Sequence, residues 1–151
     1  MAIEKKVETE VEIKSSADKF FKRLSTEIHH TRDASSEKVH SIEVHEGNWE
    51  TPGSVKLWSY TINGKKETFK EKIEVDEEKK IVTMVAMDGH VLERYGSYKI
   101  CFETIPRGEA AVVKMTITVL KPHEETEDPH DYLMWATEVI KDIDTHLVAQ
   151  V

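Results

Sequence analysis

Between Lys38 and Leu120 the chain runs in short segments of alternating apolar and polar side chains, each closed by a turn signal. That pattern leaves few folds open. Val39, Ile42 and Val44 lie in a strand that ends at Glu46-Gly47-Asn48. Ser54–Ile62 follows and is closed by Asn63-Gly64, a dipeptide suited to a two-residue hairpin turn because both positions tolerate positive φ. Glu67–Val75 and Ile81–Met87 flank the charged turn Asp76–Lys80, and Asp88-Gly89 predicts a further tight turn. Tyr95–Ile105 and Ala110–Leu120 form a last hairpin across Pro106-Arg107-Gly108-Glu109. Six strands joined this tightly predict an antiparallel meander, because parallel neighbours need crossovers of a dozen or more residues.

The flanking segments complete an α+β chain. Ile3, Val7, Thr9, Val11 and Ile13 alternate with Glu4, Lys6, Glu8, Glu10 and Glu12, which reads as a seventh strand with one charged face. Ser15-Ser16 supplies an N-cap, and Phe20, Phe21 and Leu24 give the helix behind it an apolar stripe. A second short helix is expected around Thr26–Thr31, ended by polar residues at 31–37. After Lys121-Pro122 and an acidic linker, Pro129 opens a long helix at a position where its missing N–H costs nothing. Tyr132, Leu133, Ala136, Val139, Ile140, Ile143 and Leu147 recur there at helical spacing, while Glu138, Lys141, Asp142 and Asp144 lie off the stripe. This helix, about 30 Å long at 1.5 Å per residue, is the one element able to cover the concave face of a seven-stranded curved antiparallel sheet. A curved sheet and a straight helix need not touch along their whole length, and the gap between them would admit a ligand.

Size and charge narrow the function. A chain of 151 residues suits one domain over 1–151 and buries roughly 68–70% of its unfolded surface. The single cysteine, Cys101, excludes an internal disulfide and suits a reducing compartment. No apolar run approaches the ~20 residues of a membrane span, and no signal-peptide stretch follows Met1-Ala2-Ile3-Glu4-Lys5-Lys6, so the expected location is cytoplasmic and the expected state a monomer. With 29 acidic against 21 basic side chains, the net charge of −8 repels a phosphate backbone, and no basic cluster with interleaved aromatics offsets it. A nucleic-acid partner is therefore not expected.

The segment Glu46-Gly47-Asn48-Trp49, Gly53-Ser54-Val55-Lys56-Leu57-Trp58-Ser59-Tyr60, Gly64-Lys65 and Lys70-Glu71 before Val75-Asp76 resembles the major latex proteins. These belong to the plant superfamily of the birch pollen allergen and the class-ten pathogenesis-related proteins. Asp128-Pro129 with Tyr132-Leu133 at the opening of the last helix matches as well, and the resemblance covers essentially the whole chain. It implies the helix-grip fold, with two short helices after the first strand, and a hydrophobic cavity. Relatives carry several glycines in the loop after the second strand. Here Trp49-Glu50-Thr51-Pro52 separates Gly47 from Gly53, which removes the backbone cradle an anion would need.

By alternation and by the resemblance, the concave face carries Lys56, Trp58 and Tyr60; Glu67, Phe69, Glu71 and Ile73; Val82, Met84 and Ala86; Tyr98, Ile100 and Phe102; and Val113, Met115, Ile117 and Val119. From the helix, Leu133, Ala136, Thr137 and Ile140 face the sheet. The candidate ligand-binding set is Lys56, Trp58, Tyr60, Phe69, Glu71, Met84, Tyr98, Ile100, Phe102, Met115, Leu133, Ala136, Thr137 and Ile140. Any one aliphatic member packs a core as readily as it meets a ligand. Lys56, Glu67 and Glu71 are more informative, because unpaired inward charges cost several kcal/mol and have little use in a solid core. Thr137 either faces a ligand or bonds back to its own helix, and His146 either meets an anionic head group or complements the helix dipole.

No catalytic, metal or cofactor motif accompanies this set. His29-His30 cannot both face one ion from a helix, neither HExxH nor a cysteine pair occurs, and no GxSxG, Walker or dinucleotide fingerprint is present. The expected function is binding, storage or transport of an apolar small molecule, such as a lipid, steroid, flavonoid or hormone-like plant metabolite. The alternative is an acid/base enzyme acting on a plant secondary metabolite, with Lys56 and Glu71 or Glu67 in the same cavity. A stress-linked protein acting through its surface is a third class.

Overall fold

The computed structural model describes residues 2–150; Met1 and Val151, included in the domain expected over 1–151, lie outside the described residues. The seven strands are β1 (Ile3–Ile13), β2 (Val39–Glu46), β3 (Val55–Ile62), β4 (Lys65–Asp76), β5 (Ile81–Gly89), β6 (Ser97–Arg107) and β7 (Ala110–Lys121). The helices are α1 (Ala17–Leu24), α2 (Thr31–Ala34), α3 (Val91–Arg94) and α4 (His130–Ala149). All strands pair antiparallel in one sheet of order β1-β7-β6-β5-β4-β3-β2, so the first strand closes on the last and the meander runs back from it. This is the helix-grip arrangement: an open seven-stranded sheet with a long C-terminal helix, and short helices after the first strand.

Local chemistry explains most boundaries. Ser16 caps α1 by accepting from the Lys19 amide at 3.3 Å. Asn63 and Gly64 both have positive φ, 51° and 76°, and this closes β3 on β4 in two residues. Along β1, Val7, Val11 and Ile13 are buried while every glutamate is exposed. The core gathers the inward residues of all seven strands with Phe20, Leu24 and Ile28 from the first helices and Tyr132, Leu133, Ala136, Val139, Ile140 and Ile143 from α4.

Three expectations need correction. The second short helix does not occupy Thr26–Thr31: a single 3-10 turn at Ile28–His30 leads into α2 at Thr31–Ala34, so the residues expected to end the helix form it. The connection after β5 is not a tight hairpin turn. Gly89 (φ 118°) ends the strand, and Val91, 1% exposed, anchors the one-turn helix α3 in the core, so that β6 starts at Ser97 rather than Tyr95. Two apolar residues, Val91 and Leu92, between turn signals are the trace of that packing. The last hairpin turn is shorter than expected, because Pro106 lies within β6 opposite Ala111. The β5–β6 ladder has already ended at Ile81–Glu103, so β6 has lost a neighbour there and a residue without an N–H is tolerated.

Candidate functional site

Helix α4 is held at several points and does not lie evenly on the sheet. Asp144 accepts from the Lys14 and Ser15 amides at 2.9 Å each and from the Ser15 hydroxyl at 2.6 Å. Asp142 accepts from the Ser35 hydroxyl at 2.7 Å and from Lys38 Nζ at 2.9 Å. At the other end Arg94 of α3 binds Asp131 at 2.7 Å, and Trp135 Nε1–H donates to the Thr61 carbonyl at 2.8 Å. Only the Asp144 ties lie beside β1, and of the strands the helix runs closest to β1 and β7. Over β3 to β6, large aromatic side chains stand between sheet and helix, and they do not fill the space.

The space that remains is a cavity of about 70 Å³ (the volume open to the centre of a water-sized sphere). A single water needs only ~10–15 Å³ on that measure. The sheet contributes Trp58, Tyr60, Phe69, Met84, Tyr98, Ile100 and Phe102; the first helices Leu24, Ile28 and Thr31; α3 Val91; and α4 Tyr132, Trp135, Ala136, Val139, Ile140 and Ile143. Of the fourteen candidates, Trp58, Tyr60, Phe69, Met84, Tyr98, Ile100, Phe102, Ala136 and Ile140 come together in this wall. Lys56, Glu71, Met115, Leu133 and Thr137 do not.

The structure places each of these five elsewhere. Met115, wholly buried, lies on β7, one of the strands nearest α4, and does not border the cavity. Leu133 is buried in the core without bordering the cavity. The Thr137 hydroxyl donates to the Leu133 carbonyl at 2.8 Å, so it bonds back to its own helix. Lys56 and Glu71 point inward, as alternation requires, but sit behind the wall. His146 lies 3.4 Å from Arg23, a buried side chain that also donates to Gln150 and Glu27.

The wall includes residues that sequence reasoning did not place there. Tyr132, Val139 and Ile143 belong to the α4 stripe already recognised, and Trp135, three residues after Tyr132 and four before Val139, flanks it. Ile28 lies four residues after Leu24 and eight after Phe20, a helical spacing that carries across the break between α1 and α2. Val91 carried only the weak signal of an apolar residue two positions after a glycine.

The aromatic wall residues turn their polar ends away into protein. Tyr60 and Tyr132 donate to the same oxygen of Glu67, at 3.0 and 2.8 Å. Burial, then the Glu67 charge, raises the Tyr60 pKa above the ordinary tyrosine value; burial, then the hydrogen bond to Glu67, does the same for Tyr132. Burial likewise raises Tyr98, so all three phenols stay neutral. Trp135 donates to Thr61, and Trp58 Nε1–H donates to Glu71 at 3.2 Å. The rings line the cavity and pack edge to face from Phe69 through Tyr98 to Tyr132.

Behind Trp58 lies a buried pair of opposite charges. Lys56 and Glu71 face each other across β3 and β4, and both are wholly buried. Lys56 Nζ and Glu71 Oε2 nonetheless have no hydrogen-bond partner among the described residues. The ammonium instead stands 5.8 Å from the centre of the Trp49 ring. Burial pushes the Glu71 carboxyl up to about 7, against the pull of Lys56 and the Trp58 hydrogen bond. Burial also lowers the Lys56 pKa, against the attraction of Glu71.

Other chemistries find less support. Among the described residues no three histidine, cysteine, aspartate or glutamate side chains are placed to hold a metal ion. Among the same residues no helix is long and apolar enough to cross a membrane.

Known proteins share this architecture. MLP-like protein 328 of Arabidopsis thaliana is 33% identical over 93% of this chain and 93% of its own length. MLP-like protein 34 of the same plant is 38% identical over 95% of this chain, which spans 46% of that protein's length. Among solved structures, the major latex-like protein 151 of Panax ginseng superposes with a TM-score of 0.91 at 32% identity, over 95% of this chain and 97% of that one. Residues 2–150 match the pathogenesis-related protein Bet v 1 family. The chain therefore belongs to the Bet v 1 family, on its major latex protein branch.

Proposed function

We propose that the protein binds an apolar small molecule between the sheet and α4, reversibly and as a monomer, and so stores or carries a lipid, steroid, flavonoid or hormone-like plant metabolite. The observation that carries this reading is the division of labour in the wall. Tyr60, Tyr132, Trp58 and Trp135 spend their polar groups on protein partners while their side chains line the cavity. An apolar skeleton entering there leaves none of these groups unsatisfied. Each CH₂ it buries contributes about 0.8 kcal/mol, which soon exceeds the ordering costs of binding a small ligand.

Native mass spectrometry, followed by displacement of 1-aminoanthracene fluorescence, tests the reading. A single saturable site per chain, with emission of Trp58 and Trp135 changed on binding, is the expected result. Unsaturable, weak uptake of the probe, or an apo mass under every condition, would contradict it.

A further inference from the structure

The Lys56–Glu71 pair is an anomaly that the apolar cavity alone does not explain. Opposed charges on neighbouring strands normally close on each other, and burial strengthens that tendency. Here the two heads diverge, the carboxylate toward Trp58 at 3.2 Å and the ammonium toward the Trp49 ring at 5.8 Å. One donor, Lys56 Nζ, and one acceptor, Glu71 Oε2, are left without partners in the interior, on side chains that are wholly buried. Buried polar atoms in folded proteins are almost always satisfied, so a donor and an acceptor orphaned side by side call for a common partner.

The chemistry of that partner is constrained. An ether or carbonyl would satisfy Lys56 alone, and an amine or ammonium would satisfy Glu71 while opposing Lys56. A ligand carboxylate would compete with Glu71 for the one cation. A hydroxyl carries one O–H and two lone pairs, accepts and donates at once, and brings no net charge. Bonded to both at about 2.8 Å, one oxygen holds its two partners roughly 4.5 Å apart, a spacing compatible with heads that do not touch. We propose that Lys56 and Glu71 form a hydroxyl-binding subsite, and that the ligand is an alcohol or phenol whose hydroxyl accepts from Lys56 Nζ and donates to Glu71 Oε2.

The inference rests on the apolar-binding reading above, and gives that ligand its polar end. Trp58 connects the two regions: its ring is part of the cavity wall and its N–H reaches Glu71. Opening the pair to the cavity requires that ring to turn aside and exchange its bond to Glu71 for the ligand hydroxyl's. On the other side, Trp49 and Ile73 border a smaller cavity of about 20 Å³; the pair itself lines neither cavity, so the ligand hydroxyl reaches it past the Trp58 ring.

A matched pair of probes of equal shape, 2-naphthol and 2-methylnaphthalene, tests this by titration of tryptophan fluorescence. The wild-type protein is expected to bind 2-naphthol at least as tightly as the more hydrophobic 2-methylnaphthalene. Lys56→Met should weaken 2-naphthol tenfold or more and leave 2-methylnaphthalene within twofold. Glu71→Gln, the same shape with an amide acceptor, should weaken 2-naphthol by a smaller factor, and it serves if Lys56→Met does not fold by circular dichroism. Parallel changes for both probes, no change for either, or a preference for 2-naphthoate over 2-naphthol would overturn the subsite while leaving apolar binding intact. Failure of both neutral probes to bind the wild-type protein would overturn both.

Discussion

Replacing Glu71 with glutamine should change how stability depends on pH, and by an amount the structure sets. Glu71 is wholly buried, and its pKa rises from the ordinary 4.5 to about 7 in the folded protein. The folded state therefore holds this proton more tightly than the unfolded chain, so stability is highest with the group protonated and falls as pH rises from 4.5 towards 7. At about 1.4 kcal/mol per pH unit the full effect is about 3 kcal/mol, most of which falls between pH 5 and pH 8. Glutamine has the shape of the protonated acid and does not titrate. Wild type and Glu71→Gln should be close in stability at pH 5, and the variant should gain about 2–3 kcal/mol relative to wild type by pH 8. Lys56 acts in the same direction. Its folded pKa is lowered, and without the Glu71 charge it falls further, so the variant sheds an unfavourable buried charge as pH rises. Urea denaturation of both proteins at half-unit intervals measures the difference, with other titrating groups cancelling between them. Parallel curves across this range would refute the argument that Glu71 is ionised at a cost in a dry interior.

Three further outcomes follow from particular contacts. Asp144→Ala removes three hydrogen bonds that tie α4 to the end of β1, and leaves the Ser15 hydroxyl and amide without their partner. A loss of about 2–3 kcal/mol in urea unfolding is expected, with faster hydrogen exchange in the C-terminal turns of α4. Gly89→Ala puts a Cβ against the Thr68 carbonyl at a φ of 118°, so the melting temperature should drop, with a cost of about 1–3 kcal/mol. Ala136→Leu fills the main cavity from a helix position that tolerates leucine well. It should leave thermal stability equal or higher and reduce 1-aminoanthracene binding more than tenfold.

The sheet was largely readable because period-two alternation and turn chemistry act within a few residues of one another. Asn63-Gly64 closes its hairpin by local conformation alone, and the inward placement of Lys56, Trp58, Tyr60, Phe69 and Glu71 follows from the pleat. What local pattern does not carry is the distance between layers. Met115 and Ile100 look alike as inward residues of central strands. Met115 lies on the strand that α4 packs against, and Ile100 borders the gap. That difference depends on where α4 is seated, which rests on long-range ties such as Asp144 to Ser15 at the end of β1, made by a residue that reads as part of a solvated helix face. The same applies to Lys56 and Glu71, whose inward direction was legible and whose separation was not. It depends on Trp49 and Trp58 drawing the two heads apart.

The central claim is that an apolar ligand occupies the space between β3–β6 and α4. A crystal soaked with a bromine-substituted apolar probe, such as 2-bromonaphthalene, locates that ligand directly through the anomalous signal of bromine. The account predicts one strong peak enclosed by Phe69, Tyr98, Phe102 and Ile140, with Trp58 or α4 adjusted around it. Bromine found only on the surface, with the interior unchanged at saturating probe, would contradict it.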